Sequence, residues 1–315
     1  MQEFYDNVTY YGIGKILKEY AGFPSYLPCP MSLQHGWTIT ATDHDARYDA
    51  PENWYWSKSL EETYKRKYRA LKTRSIGAPF LYLLKLLDYS EADNKQGSIV
   101  FPSHSSKLIE MKCDFDLYAE MLQNLPDNYH PITVCMYHLD QQKGLDNTFR
   151  GHGFKVVTNG NDLYDKAFLK RFVANVHGKR YAFSNQMTSA LLFASAMGLK
   201  SFFWGPRFST DSLDQNYQDI DYTDFHRSWE SRFGNFFSFP ECDLKVQREI
   251  IEQELGNELV LSKSELGKLM LRLALSKKYL LRFLPARVLS ITVSMKRLLR
   301  KVFEKIIPES IISHE

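Results

Sequence analysis

YAFSNQMTSALLFASAMGLKSFFWGP, residues 181–206, reads as strand, turn, helix, turn, strand. A helix between two strands is a βαβ unit, and such units build parallel sheets. The alternation continues upstream. GSIVFPSHS (97–105) is an apolar strand followed by a helical FDLYAEMLQNL (115–125), and PITVCMYHLD (131–140) is a second strand followed by a short helical KGLDNTFRG (143–151). FKVVTNG (154–160) is a third strand and DKAFLKRFVANVHGK (165–179) the next helix. YAFSN and KSFFWG are then the fourth and fifth strands of one parallel sheet.

Residues 1–96 read as a smaller α/β domain. It has an amphipathic start (GIGKILKEYAG), a strand PMSLQHGWTI, an aromatic NWYWS, a helix SLEETYKRKYRAL, a turn IGAPF and an apolar YLLKLLDY. The polar, turn-rich EADNKQG (91–97) joins it to a second domain over 97–210. Residues 211–258 are polar and aromatic and read as a helical connection packing on both domains. Residues 259–315 form a basic, helical tail.

A chain of 315 residues has room for two domains, and 44 % hydrophobic with 14 % aromatic residues is an ordinary globular composition. Cys29, Cys113, Cys135 and Cys242 are scattered, without the spacing of a zinc site, which points to a reducing compartment. The start, MQEFYDNVTYYG, lacks the apolar run of a signal peptide, and no stretch reaches 18 uninterrupted apolar residues. The expected location is the cytoplasm.

The total charge of +3 hides an asymmetry. Residues 263–305 carry twelve Lys or Arg against Glu265 and Glu304, a net +10, which leaves −7 for the rest. Leu266, Leu269, Met270 and Leu273 fall at i, i+3, i+4 and i+7, one face of a helix. A basic amphipathic helix is a membrane-surface signature. The expected partner of 263–305 is therefore an anionic membrane surface, with a helical pair for oligomerisation as the competing reading. Aromatics in the tail are too sparse to stack bases, so no nucleic-acid partner is expected.

In an open parallel sheet, ligands bind outside the carboxyl ends of the strands. Those ends carry His104, Ser105 and Ser106 after the first strand, His138 after the second, and Asn159 and Gly160 after the third. Ser184, Asn185, Thr188 and Ser189 follow the fourth. Hydroxyls, backbone N–H groups and helix dipoles suit a nucleotide phosphate there. The same small polar residues also suit helix caps and turns. Neither GxGxxG nor GxxxxGK[ST] occurs, which counts against a dinucleotide oxidoreductase or a P-loop kinase. Three Asp-x-Asp triplets (Asp43/Asp45, Asp114/Asp116, Asp219/Asp221) show how common that pattern is, and no metal site is expected from them; Asp114 reads as a helix N-cap. In the N-terminal domain, His35 ends an apolar strand and is a candidate general base, or a packed histidine in a turn. Asp49 and Glu52 are alternative bases.

FASAMGLKS (193–201) is similar to the EAMACGLPV-type helix-to-strand motif of GT-B-fold glycosyltransferases, with Ala194, Ala196 and Gly198 at its small positions. SNQMTS resembles the serine-containing turn that holds donor phosphates in several such enzymes, including those of bacterial capsule, O-antigen and teichoic-acid assembly. QHGW resembles the glycine-containing strand end near their acceptor site. The resemblance implies an α/β fold of two Rossmann-like domains, with 1–96 on the acceptor side and 97–210 binding the nucleotide. Where retaining members have a glutamate that holds the donor ribose, this chain has Phe193, so an inverting, base-assisted displacement is implied. The expected function is transfer of a sugar from a nucleotide-sugar donor to a lipid-linked glycan acceptor at the inner face of the membrane, without cofactor or metal. A pyruvyl or glycerol-phosphate transferase of the same fold, or a non-catalytic scaffold of polysaccharide assembly, is the alternative.

Overall fold

The computed structural model of the protein describes residues 3–213 and 222–283. In the first part, α1 (Ile13–Ala21) buries Ile13, Ile16, Leu17 and Tyr20, one helical face. Three short strands follow, β1 (Ser32–Leu33), β2 (Asn53–Tyr55) and β3 (Thr73–Ser75), with α2 (Lys58–Lys67) between the last two. They form a parallel sheet in the order β1-β2-β3, with Ser32 opposite Asn53 and Asn53 opposite Thr73. Ser57 caps α2 by accepting from Leu60 N. IGAPF is not a free-standing turn. Gly77 sits at φ +79, where a Cβ would meet Gly256 O at 2.9 Å, and Pro79 opens α3 (Pro79–Leu86) at a position that needs no N–H.

The second part carries β4 (Ser98–Val100), β5 (Ile109–Cys113), α4 (Phe115–Gln123), β6 (Ile132–Cys135), α5 (His138–Gln142) and α6 (Asp146–Gly151). Next come β7 (Lys155–Val157), α7 (Phe168–Val176), β8 (Tyr181–Ser184), α8 (Ser189–Ala196) and β9 (Lys200–Phe203). All five strands expected from the alternation are present and parallel, in the order β7-β6-β4-β8-β9. The chain runs outward from β4 to β7, then returns to β4's other side with β8. Asp114 accepts from Leu117 N at 2.9 Å, the cap expected of it. β10 (Phe208–Ser212) lies across the expected boundary at 210 and pairs antiparallel with β5, a two-stranded arm no sequence pattern announced. Helices α9 (Tyr222–Phe233), α10 (Leu244–Leu255) and α11 (Lys263–Ala274) follow.

One hydrophobic cluster runs through both parts: Leu33, Trp54 and Phe80 from the first, Phe101, Phe172, Leu191 and Phe193 from the second, and Trp229, Leu255 and Leu266 from the later helices. Phe80 and Phe193 stack at 4.2 Å between centroids. This places Phe193 in the core and accounts for an aromatic residue there.

The apolar stripe assigned to a membrane-facing helix has another use. Leu266, Leu269, Met270 and Leu273 are all buried, and α11 packs on α1. The stripe therefore completes the core and is not open to a bilayer. Further along, Tyr279 Oη donates to Pro28 O at 3.0 Å, and Arg282 pairs with Asp49 at 2.5 Å, fixing the end of the described chain to the first part. Residues 284–305 of the expected membrane segment lie outside the described residues. Among the described residues, no helix is long and apolar enough to cross a membrane.

Candidate functional site

In open parallel sheets ligands bind where the strand order reverses, and here that reversal falls between β4 and β8, at their carboxyl ends. The carboxyl end of β1 points to the same place. Trp37 N donates to Ser189 Oγ at 2.8 Å, and a Cβ on Gly36 would lie 3.7 Å from that oxygen. The latter is an ordinary contact, so closeness alone does not require the glycine.

The QHGW loop is anchored on both sides of His35. Gln34 Nε2 donates to Gly36 O and Gln34 Oε1 accepts from Trp56 N, each at 2.8 Å. Trp37 Nε1 donates to Glu254 Oε2 at 2.9 Å, and burial raises the pKa of Glu254 against the opposing pull of Trp37 and Arg232. Between these anchors His35 turns Nδ1 onto the buried carboxylate of Asp45, 3.0 and 3.1 Å from its two oxygens. Its side chain remains 34 % exposed, and Nε2 has no hydrogen-bond partner among the described residues. Burial pulls the imidazole pKa down, but the charge and hydrogen bond of Asp45 outweigh it and leave it above the ordinary histidine value. A buried carboxylate that fixes one nitrogen and leaves the other free is the orientation a general base needs.

Around this dyad stand side chains from other parts of the chain. Tyr10 meets His35 edge-on at 5.4 Å, stacks on His44 at 5.5 Å and tilts against Tyr164 at 5.7 Å. Asp45 belonged to a triplet set aside as a common pattern, and its pairing across ten residues is visible only in three dimensions.

The polar residues at the start of α8 are committed elsewhere. Ser184 Oγ donates to Phe101 O at 2.7 Å and accepts from Gln186 N. The buried Asn185 accepts from Ser103 N at 2.7 Å and donates to Pro206 O at 3.0 Å, tying β4, β8 and the chain after β9 together. Thr188 caps α8 through Leu191 N. Ser189 holds Trp37. These side chains fix the loop to its own backbone, and Thr188 also takes Leu191 N, so what remains uncommitted is the backbone of the first turn ahead of Leu191.

The remaining candidates divide similarly. Ser105 Oγ accepts from Met111 N while its own N–H donates to Asp140 Oδ2 at 3.1 Å, and Ser106 Oγ accepts from Leu108 N and Ile109 N. Asn159 Oδ1 accepts from Asn175, and a Cβ on Gly160 would meet Asp165 Oδ2 at 2.9 Å, so α7 fills that end of β7. His104 stacks on Tyr137 at 4.2 Å, and Tyr137 leans on His138, whose Nδ1 is buried with no partner among the described residues. Burial, with His104 and Lys107 nearby, keeps the pKa of His138 low despite Asp162 and Asp140. Asp49 and Glu52 stand apart from this group. They precede β2, whereas His35 follows the parallel β1, so they lie at the opposite end of the sheet. Asp49 pairs with Arg47 and Arg282, and Glu52 takes Arg74 at 2.8 and 3.0 Å. An open hollow of about 550 Å³ on the β5 arm, lined by Lys112, Asp114 and Lys143 among others, includes none of the expected site residues.

Comparison of the chain with models of known families, with curated proteins and with solved structures finds no match.

Proposed function

We propose that the protein is an inverting glycosyltransferase of GT-B-like, two-Rossmann organisation, moving a sugar from a nucleotide-activated donor to a lipid-linked glycan hydroxyl. The observation that carries the reading is the His35–Asp45 dyad set beside the first turn of α8, where the carboxyl ends of two parallel sheets meet. The outward-and-back strand order, β7-β6-β4-β8-β9, supports a nucleotide in the crevice.

In this reading His35 Nε2 takes the proton of the acceptor hydroxyl, while Asp45 holds Nδ1–H and stabilises the imidazolium that forms. The hydroxyl oxygen bonds to the anomeric carbon as the bond from that carbon to the donor phosphate breaks, and its electron pair leaves with the nucleotide. Free N–H groups of the first turn of α8, and its dipole, stabilise the departing charge, so no metal is required. Phe193 offers no ribose-binding carboxylate, which favours inversion.

Thermal shift against UDP, GDP, CDP and CMP tests the reading. A nucleotide at 100 times its Kd stabilises by about 2.7 kcal/mol. No shift with any of the four would favour the scaffold alternative. Attachment to an anionic membrane rests on 284–305, where Arg287, Lys296, Arg297, Arg300, Lys301 and Lys305 face only Glu304 in the count of charges. Reversing Lys296, Arg297, Arg300 and Lys301 to Glu should abolish co-sedimentation with phosphatidylserine vesicles at low salt. Unchanged sedimentation would discard the membrane partner.

A further inference from the structure

The dyad has a third member. His44 follows two residues after Thr42, immediately before Asp45, and ligand atoms of His35, His44 and Asp45 all lie within 4.8 Å of one another. Two imidazoles and one carboxylate are a borderline-soft donor set, of the kind that selects zinc and its transition-metal neighbours over magnesium or calcium. His35 Nδ1 and Asp45 Oδ1 lie 3.0 Å apart as a hydrogen-bonded pair, and two ligands of one tetrahedral ion at bonds of about 2.0–2.2 Å stand only a few tenths of an ångström further apart.

The supports of such a site are also present. Asn7 Nδ2 donates to Asp45 Oδ1 at 3.4 Å and to Ser32 Oγ at 2.7 Å, orienting the carboxylate from behind. The Tyr10 ring lies parallel to His44, with an interplanar angle of 5°, and edge-on to His35, so one side chain positions both imidazoles. Asp45 is buried, His35 half-buried and His44 exposed, which leaves one side open for entry and for a further ligand.

We infer that His35, His44 and Asp45 form a binding site for a transition-metal dication of the zinc class. The ion takes the lone pair of His35 Nδ1, and the ring's one proton then sits on Nε2. A metal-bound His35 therefore cannot accept a proton at Nε2, and on the transfer reading above the ion silences the base. The site itself does not depend on that reading.

The test uses the full chain, stripped with a chelator and titrated with Co²⁺, followed by its visible absorption, then with Zn²⁺ in competition. About one ion per chain is expected. His44→Ala should weaken binding by at least about tenfold, and Asp45→Asn by as much or more. Cys113→Ser and Cys242→Ser should bind as the wild type does. His44 is exposed, so His44→Ala decides the question even where Asp45→Asn fails to fold. Absence of binding by the wild type, undiminished binding by His44→Ala, or loss of binding in a cysteine variant would overturn the inference. None of these outcomes alters the nucleotide thermal shift, so the two readings fail separately.

Discussion

Two loops meet at the carboxyl ends of the parallel sheets, and they use their polar residues in opposite ways. After β8, Ser184, Asn185 and Thr188 each bind a backbone group of the protein itself. After β1, the backbone and its flanking side chains are equally tied down, yet one nitrogen of His35 has no partner among the described residues. Polar residues at a strand end are thus of two kinds, those that fix the loop and those the fixed loop presents. Only uncommitted donors and acceptors distinguish them.

Substitutions can break that distinction. The largest effect is expected at His35. His35→Ala should lower turnover by about 10²–10⁴ while leaving nucleotide binding in place. Wild-type turnover in that variant would move His35 into the fixing class. At Asn185 the order reverses: Asn185→Ala strands Ser103 N and the Pro206 carbonyl, and should cost about 2–4 kcal/mol in urea unfolding. The folded fraction should still bind nucleotide normally, and weakened affinity at intact stability would make Asn185 a ligand. Thr188→Ala should cost about 1 kcal/mol as a lost cap, with affinity unchanged.

The smallest effect belongs to Asp49, a carboxylate expected as a base and found in an ion pair. Burial raises its pKa, but Arg47 and Arg282 together carry it below the ordinary value. A depressed pKa means stability that is complete above the unfolded pKa, about 3.9, and lost as pH falls through the lower folded value. Both partners are more than a third exposed, so the contribution stays under about 1 kcal/mol. The difference in Tm between wild type and Arg282→Gln should be constant from pH 7 to 5 and shrink below pH 4. A constant difference down to pH 2 would show that Arg282 acts through packing alone.

The sequence was most readable where structure is local. β4, β6, β7, β8 and β9 are apolar runs separated by helical segments, and each appears within its quoted stretch. β5 and β10 escaped because IEMKC is short and of mixed polarity, FSTDS is mostly polar, and the two pair across nearly a hundred residues. The stripe of α11 was recognised as apolar and helical, but periodicity does not say whether a face meets lipid or protein; α1 supplies that answer. The same holds at the site. His35 stood out at a strand end, while Asp45 and Tyr10 reach it only through the path of the chain, and the commitments of Ser184 and Asn185 depend on Phe101 and Pro206.

The continuous cluster that joins Phe80 and Trp54 to Phe172 and Phe193 has a mechanical consequence. Two lobes that swing about a hinge need a thin or polar contact between them, whereas a large apolar one resists separation. Here a hinge opening would part the stacked Phe80–Phe193 pair and wet the rings around it. The molecule should accordingly melt as one cooperative unit, with a single calorimetric peak. Any gating of the crevice then belongs to its rim, where Tyr10 and Tyr164 touch, and to side-chain rotation in place of lobe closure.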